Sequence, residues 1–163
     1  MLYFSYGANM SQENMDNFCK KVNRPFINMR DHYYQKGILK GYKIDFEVND
    51  ARLGGVLNLM PSDEDNYVEG VVFEMSDKEM KTFDMKEAAA GEFCRTPLPI
   101  TLDDGRVLND VIVYTIACKE YLVEATPPSE TYKRDIIEAA KAFGLSKEWI
   151  EKLKKLPSPE FCS

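Results

Sequence analysis

The sequence has a single histidine and no closely spaced cysteines, which argues against a structural zinc site. The only histidine is His32, and the four cysteines stand alone without a C-x-x-C pair. Zinc sites usually combine several such ligands at short spacings. We therefore expect free thiols at Cys19, Cys94, Cys118 and Cys162. His32 lies in a strand-like segment, and we assign it no catalytic role because an isolated histidine is usually a half-buried surface residue.

Long apolar runs and a recognisable leader are also missing. No apolar run approaches the length required to cross a bilayer. The first six residues, Met1–Tyr6, lack the basic start and the small-residue cleavage site of a signal peptide. We therefore expect a cytoplasmic protein without a membrane anchor, whose fold begins directly at the N-terminus and forms one domain over residues 1–163.

An excess of basic charge is absent as well. The chain has 21 lysines and arginines against 27 acidic residues, a net charge of −6. Its basic residues are scattered, except for Lys152, Lys154 and Lys155 near the end of a predicted helix, where cations interact favourably with the helix dipole. We therefore do not expect a nucleic-acid partner.

The pattern of apolar residues and turn signals predicts strands and capped helices that mix without strict alternation. Strands are predicted at Leu2–Ser5, Tyr33–Val48 with breaks at Gly37 and Gly41, Gly55–Met60, Tyr67–Glu74, Phe93–Leu102 and Val107–Ala117. Helices are predicted after Ser11, from Asp77 to Ala90 with Gly91 ending it, after Ser129 and after Ser146. The sequence therefore predicts an α+β fold in which a mixed, mostly antiparallel sheet forms a small barrel with surrounding helices.

One acidic residue falls on the apolar stripe of the helix that begins at Asp77. A rotation of 100° per residue places Glu87 between Met80 and Phe83, on the side that faces the core. Burying an ionised carboxylate without a partner costs several kcal/mol, so Glu87 must be paired, protonated or lining a cavity. Alternatively, the helix frays after Lys86 and Glu87 points to water, and the pattern alone leaves both interpretations open.

The segment from Leu2 to Met15 predicts a strand, a turn at Gly7-Ala8-Asn9 and a helix start. Backbone N–H groups in such a turn form a cradle for an oxyanion or a carboxylate, although many glycine-containing turns have no ligand. Tyr132 follows Pro127-Pro128 at the start of another helix, where it either offers its hydroxyl to a ligand or simply packs.

Taken together, these residues resemble the gamma-glutamylcyclotransferase family from Leu2 to about Leu156. The chain is similar to the family's motifs in four segments, in the same order. They are Leu2–Met10 with the opening strand and Y-G-S-N loop, Gly54–Val56 with the internal glycine pair, Gly70–Phe73 and Phe83–Glu87 with the G-V-V strand and L-D-x-x-E helix, and Pro127–Lys133 with the P-P-S-x-x-Y-K segment. Agreement across separated segments favours a catalytic interpretation of Glu87.

The resemblance implies an activity and a set of site residues. Members of this family close a gamma-glutamyl group on itself to release 5-oxoproline and a free amine, without a metal or other cofactor. Glu87 takes the position of the catalytic acid/base. The implied substrate-binding residues are Tyr3, Phe4, Ser5, Tyr6, Gly7, Ala8, Asn9 and Tyr132. The expected partner is a small gamma-glutamyl compound, and a homodimer is compatible with this interpretation.

Three departures from the family pattern keep alternatives open. Ala8 replaces a serine, Ala88 follows the glutamate in place of glycine, and Phe93 stands where tyrosine is common. One alternative is a protein of the same fold that binds the ligand without turnover. Another is an enzyme that acts on gamma-glutamyl amines instead of gamma-glutamyl amino acids. Glu92 is the alternative acid, because residues 88–91 form a stretch one residue shorter than its counterpart, which can shift the register.

Overall fold

A computed structural model describes residues 1–50, 54–87, 92–118, 120, 122–124 and 126–157. Its strands and α-helices follow one another along the chain with two short 3-10 turns, at Ala8–Met10 and Arg30–His32. The elements are β1 (Leu2–Ser5), α1 (Gln12–Lys21), β2 (Tyr33–Lys40), β3 (Tyr42–Asp50), β4 (Gly54–Pro61), β5 (Tyr67–Glu74), α2 (Asp77–Glu87), β6 (Phe93–Leu102), β7 (Val107–Ile116), α3 (Glu130–Ala142) and α4 (Lys147–Lys154).

Five strands close into a barrel in the order β1, β5, β2, β6 and β7. Neighbouring strands run antiparallel except β1 and β7, which pair in parallel where Tyr3 meets Ile112. Strands β3 and β4 form a separate two-stranded sheet. The prediction of an α+β fold with a mixed, mostly antiparallel barrel is therefore confirmed.

Two glycines of the β2–β3 region have different roles, and one prediction about them was wrong. Gly41 has φ +79° and ends β2, as expected of a turn residue without a Cβ. Gly37 does not break the strand. It lies inside β2, where an added Cβ would come within 2.7 Å of a methyl carbon of Ile100 and 3.0 Å of the Thr101 carbonyl oxygen. Gly37 therefore permits close packing of β2 on β6.

The predicted caps are confirmed. Ser11, Ser129 and Ser146 each accept a hydrogen bond from the backbone N–H three residues further on. At α2 the capping box forms in both directions, with Ser76 N–H donating to Glu79 Oε2 at 2.8 Å and Glu79 N–H donating to Ser76 Oγ at 3.2 Å. These local bonds set the start of each helix.

His32 lies in the second 3-10 turn and not in a strand, which corrects the prediction for this segment. Its ring nitrogens lie 2.7 Å from the Asn28 carbonyl oxygen and 2.8 Å from Glu79 Oε1. Partial burial acts to lower the pKa of His32, but the Asn28 carbonyl and the Glu79 carboxylate outweigh it and raise the pKa. His32 therefore connects this turn to the beginning of α2.

Helix α2 packs on the barrel through aromatic contacts. The ring of Phe83 lies 4.9 Å from that of Tyr3 on β1, and Tyr3 meets Tyr114 on β7 edge-on at 5.5 Å. The helix extends through Glu87, while the predicted end at Gly91 lies outside the described residues. This packing directs the last turn of α2 toward the end of β1.

Cys19, Cys94 and Cys118 are free thiols, as expected, and Cys162 lies outside the described residues. Across the described ranges, no group of three or more potential metal ligands comes together. Among the helices in those ranges, none has both the length and the apolar character of a membrane span.

Candidate active site

The opening turn contains a row of backbone donors that have no hydrogen-bond partner among the described residues. After β1 the chain enters the first 3-10 turn, which is closed by a bond of 3.1 Å from Met10 N–H to the Gly7 carbonyl. Within the described part of the chain, no hydrogen bond uses the N–H of Gly7, Ala8 or Asn9. Three consecutive donors are therefore available to a ligand at this turn.

Glu87 reaches this turn from the end of α2. The Asn9 carboxamide donates through Nδ2 to Glu87 Oε1 at 2.6 Å and to the Tyr3 phenol oxygen at 2.9 Å. Asn9 is buried and Glu87 is half-buried. Because helical structure continues through Glu87, the alternative in which the helix frays after Lys86 does not describe this structure. The side chain of Lys86 also contacts Asn9, with Nζ donating to Oδ1 at 2.7 Å.

Three buried phenols, those of Tyr3, Tyr6 and Tyr132, lie within reach of the negative charge of Glu87. Burial, followed by the negative charge of Glu87, raises the pKa of both Tyr3 and Tyr6. Burial likewise raises the pKa of Tyr132, with a smaller contribution from Glu87, although the Leu57 N–H acts to lower it. All three phenols therefore stay neutral near neutral pH and keep their protons for hydrogen bonding.

Tyr132 joins α3 to the opening turn and to β4. Its hydroxyl accepts a hydrogen bond of 3.1 Å from the Leu57 N–H. The same oxygen would lie 3.9 Å from a Cβ added to Gly7. Tyr132 therefore packs in the interior with its hydroxyl beside the turn, and its contact with a ligand stays a prediction.

The second residue of the predicted glycine pair lets the β3–β4 hairpin approach the segment before α3. Gly55 N–H donates to the Pro127 carbonyl at 3.1 Å, and an added Cβ on Gly55 would fall 1.8 Å from the Thr126 carbonyl oxygen. A larger residue cannot occupy this position without moving the backbone. The close approach fixes Leu57 next to Tyr132.

A second acidic residue on α2 holds the helix in place. Arg95 of β6 binds Asp84 through two parallel hydrogen bonds of 2.8 and 2.7 Å, and the Tyr114 hydroxyl donates to Asp84 at 2.6 Å. Burial acts to raise the pKa of the Asp84 carboxyl, but the bonds from Arg95 and Tyr114 outweigh it and lower the pKa. The sequence alone did not indicate this cluster of Asp84, Arg95 and Tyr114. The signal was the three-residue spacing of Asp84 and Glu87, which places both on one helix face.

The remaining predicted residues lie in different places. Phe4 is fully buried and its ring fills the space beside Gly70, where an added Cβ would come within 2.6 Å of it. Ser5 and Ala8 are buried at the turn. Because side chains alternate along a strand, the Phe4 ring lies on the opposite face of β1 from Tyr3, whose hydroxyl contacts Asn9.

Two of the departures and the alternative acid also have defined positions. Phe93 is buried in β6 opposite Ile116. Glu92 precedes it, and its backbone carbonyl accepts a hydrogen bond from Ala117 N–H at 2.8 Å. Ala88 lies outside the described residues.

A surface pocket of about 530 Å³ lies apart from these groups. Its walls come from the last residue of the opening turn, the start of α1, the segment before β2 and the end of α3, and they include Met10, Phe26, Met29, Arg30 and Phe143. The Arg30 guanidinium already stacks on the Phe143 ring at 4.4 Å and donates to the Ala142 carbonyl. Neither Glu87 nor the three phenols line this pocket, so the candidate site is the one at the opening turn.

Several proteins that are similar to this chain carry the name gamma-glutamylcyclotransferase. The chain is 27% identical to human gamma-glutamylcyclotransferase over 98% of its own length and 80% of the human chain. The mouse protein of the same name gives the same identity and coverage. A solved structure described as gamma-glutamyl cyclotransferase superposes with a TM-score of 0.81 at 23% identity, over 100% of this chain and 91% of that one.

The family assignment also follows from a family model. The model of the AIG2-like family matches residues 67–153, more than half of the chain, and this range contains Asp84, Glu87 and Tyr132. Together with the named relatives, it confirms the resemblance that the motifs indicated. This chain belongs to the AIG2-like family.

Proposed function

We propose that this protein is a gamma-glutamylcyclotransferase in which Glu87 is the general acid and base. The observation that carries the proposal is the bond from Asn9 to the Glu87 carboxylate, at the turn where three backbone N–H groups have no hydrogen-bond partner in the described part of the chain. An acid and a row of donors at one turn suit a small ligand with a carbonyl group and a titratable nitrogen. The named relatives support the same activity.

The reaction closes a five-membered lactam within one molecule. The substrate's alpha nitrogen attacks its own gamma-carbonyl carbon, a new C–N bond forms, and the original gamma-amide C–N bond breaks. The alpha nitrogen starts as an ammonium group and loses two protons in total. The leaving nitrogen gains two protons and departs as an ammonium group, so atoms and charge balance without water or an oxidant.

Much of the rate advantage in this proposal comes from orientation. Both reacting groups belong to one substrate, so the site has to hold the glutamyl chain in a bent, near-attack shape. Holding reactants in such a geometry contributes up to about 7 to 11 kcal/mol in favourable cases. The buried phenols of Tyr6 and Tyr132 supply rigid walls for this purpose.

Glu87 carries the protons in this scheme. The ionised carboxylate accepts a proton from the alpha-ammonium group, which frees the nitrogen lone pair for attack. The protonated carboxyl then delivers that proton to the leaving nitrogen, and a second transfer along the same route completes the exchange. Positioned acid/base catalysis of this kind contributes roughly 10²–10⁴-fold.

The opening turn stabilises the tetrahedral intermediate. As the carbonyl oxygen becomes an oxyanion, it takes the free N–H groups of Gly7, Ala8 and Asn9 as donors. Ala8 lacks the hydroxyl of the family's serine but keeps its main-chain donor, so this step does not depend on the missing group.

The test is release of 5-oxoproline by the purified protein from a panel of gamma-glutamyl donors. The panel contains gamma-glutamyl amino acids, gamma-glutamyl amines and a matched set of alpha-glutamyl peptides as controls. We expect 5-oxoproline from at least one gamma-linked donor and none from the alpha-linked set, because only the gamma linkage presents the carbonyl to the alpha nitrogen. The preferred donor identifies the leaving amine.

Absence of product from every donor would overturn the activity. Calorimetry with the same compounds then distinguishes the two remaining cases. Binding without product would establish the alternative of a ligand-binding protein, which the substitutions at Ala8 and Phe93 favour. If none of these compounds bound, the proposed binding site at the opening turn would be wrong.

A further inference from the structure

The carboxamide of Asn9 is held from three sides. Its nitrogen donates to Glu87 and to Tyr3, and its oxygen accepts from the Lys86 ammonium at 2.7 Å. Lys86 and Glu87 are neighbours in sequence at the end of α2, and both side chains converge on this one amide. A buried amide with both ends engaged has a defined orientation.

This orientation matters when Glu87 changes its protonation state. While Glu87 is ionised it accepts hydrogen bonds only, so the nitrogen of the amide must face it. Once protonated, the carboxyl gains an O–H donor and matches either end of an amide. In the absence of another constraint, Asn9 can then turn its oxygen toward Glu87 and take up the proton in a bond within the protein.

Lys86 removes that possibility. An ammonium group has three donors and no acceptor, so it retains only the oxygen end of Asn9 whatever the state of Glu87. We propose that Lys86 is a positioning residue that locks the Asn9 amide and keeps the Glu87 proton directed at the substrate. The proposal rests on the proposed function, because it concerns how the same acid returns its proton.

A purely structural explanation of Lys86 is also available. A cation in the last turn of a helix interacts favourably with the helix dipole, and its loss lowers stability by a small amount. An interaction with the helix dipole does not involve Asn9 and does not affect turnover. An effect of Lys86 on kcat that requires Asn9 therefore distinguishes the positioning role from the structural one.

The test compares Lys86→Met, which removes the donor, with Lys86→Arg, which keeps a donor-only cation. We expect Lys86→Met to lower kcat about tenfold, equivalent to about 1.4 kcal/mol. KM should change less than about twofold, because the proposed role concerns the return of the proton and not ground-state binding of the substrate. Lys86→Arg should keep kcat within about threefold of the parent.

A double-mutant cycle with Asn9→Ala measures whether the effect of Lys86 on kcat depends on Asn9, which a purely structural role of Lys86 does not predict. If Lys86 acts through Asn9, Lys86→Met has no further effect on kcat in the Asn9→Ala background. Equal losses of kcat in both backgrounds, or a change confined to thermal stability, would overturn the proposal.

A second measurement keeps the proposal separate from the enzymatic activity. The side-chain amide resonances of Asn9 in ¹H–¹⁵N spectra should stay sharp when the parent protein is acidified, and they should broaden by exchange or shift when Lys86→Met is acidified. Absence of 5-oxoproline from the parent enzyme would reject the proposed function alone. Unchanged Asn9 resonances in Lys86→Met would reject the positioning role alone.

Discussion

Asp84 and Glu87 lie one turn apart on α2, yet their surroundings differ sharply. Asp84 accepts two hydrogen bonds from the Arg95 guanidinium and one from Tyr114. Within the described residues, Glu87 accepts one hydrogen bond, from the neutral amide of Asn9. The Asp84 carboxylate is paired with the positive charge of Arg95, whereas the Glu87 carboxylate is hydrogen-bonded to a neutral amide at the opening turn.

The difference indicates which carboxylate suits proton transfer. Protonating Asp84 would weaken three charge-assisted bonds at once, so its ionised form is strongly favoured. Protonating Glu87 weakens one bond from a neutral donor. Asp84 is therefore suited to holding the helix, and Glu87 is suited to exchanging protons with a ligand.

The largest expected effect separates the two residues by activity. Glu87→Gln keeps the size of the side chain and removes its proton chemistry, so turnover should fall roughly 10²–10⁴-fold. The melting temperature should stay close to that of the parent, because an amide still satisfies Asn9. Steady-state 5-oxoproline release and thermal unfolding measure both quantities, with Glu92→Gln as the matched control.

The contrast with Glu92 decides which acid is used. Glu92→Gln should leave turnover near the parent value. If the loss of activity followed Glu92 instead of Glu87, the register of the family motif would be shifted and the assignment of the acid would be wrong.

The next effect separates the two residues by stability. Asp84→Asn removes the charge opposite Arg95 and should lower the free energy of unfolding by about 1–2 kcal/mol, a value reduced from that of a buried pair because the site is partly exposed. Urea unfolding measures it. Asp103→Asn, at an exposed pair with Lys36, serves as the control and should cost less than about 0.5 kcal/mol.

The same variant has a pH signature. The pKa of Asp84 is lower in the folded protein than in the unfolded chain. Its contribution to folding stability is therefore fully present above the unfolded-state pKa and is lost as pH falls through the folded-state pKa. The stability gap between parent and Asp84→Asn should therefore shrink between neutral and strongly acidic pH. A gap that widened on acidification would show that Asp84 is not held ionised by Arg95.

A third variant tests the hydroxyl of Tyr132 beside the opening turn. Tyr132→Phe leaves the buried Leu57 N–H without its acceptor and should cost about 1–2 kcal/mol of stability. It should also lower kcat/KM, because the hydroxyl beside Gly7 is lost. Tyr34→Phe is the control, since Tyr34 is exposed on β2. Equal kcat/KM for both variants would exclude a role of the Tyr132 hydroxyl in binding.

The smallest effect concerns the opposite end of α2. His32 faces Glu79, Asp31 and the Asn28 carbonyl, and its folded pKa is raised. The contribution of His32 to folding stability is therefore fully present below its unfolded-state pKa near 6.5 and is lost as pH rises through its folded-state pKa. His32→Gln should cost about 0.2–1 kcal/mol at pH 6 and less at pH 8.5, measured by urea unfolding. A larger cost at pH 8.5 would contradict the ion pair with Glu79.

Local signals predicted much of this fold. Caps and staples act over three to five residues, so Ser76 with Glu79 and Met75 with Met80 could be identified directly from sequence. The hairpin at Asp103-Asp104-Gly105 is local in the same way, and Gly105 has φ +87° as such a turn requires.

Features that depend on distant pairing could not be obtained this way. Gly37 looked like a strand break because the closeness of Ile100 becomes visible only once β2 pairs with β6. The bond between Arg95 and Asp84 likewise depends on how α2 packs against β6. The motif indicated Glu87 as an acid, whereas its contact with Asn9, 78 residues away, required the fold.

The most direct test of the central claim is a crystal structure of Glu87→Gln with an intact gamma-glutamyl donor identified by the assay. We predict that one bent glutamyl group contacts the side chain at position 87 and the N–H groups of Gly7, Ala8 and Asn9 at the same time. A donor bound away from the opening turn, for example in the pocket beside Phe143, would contradict the account.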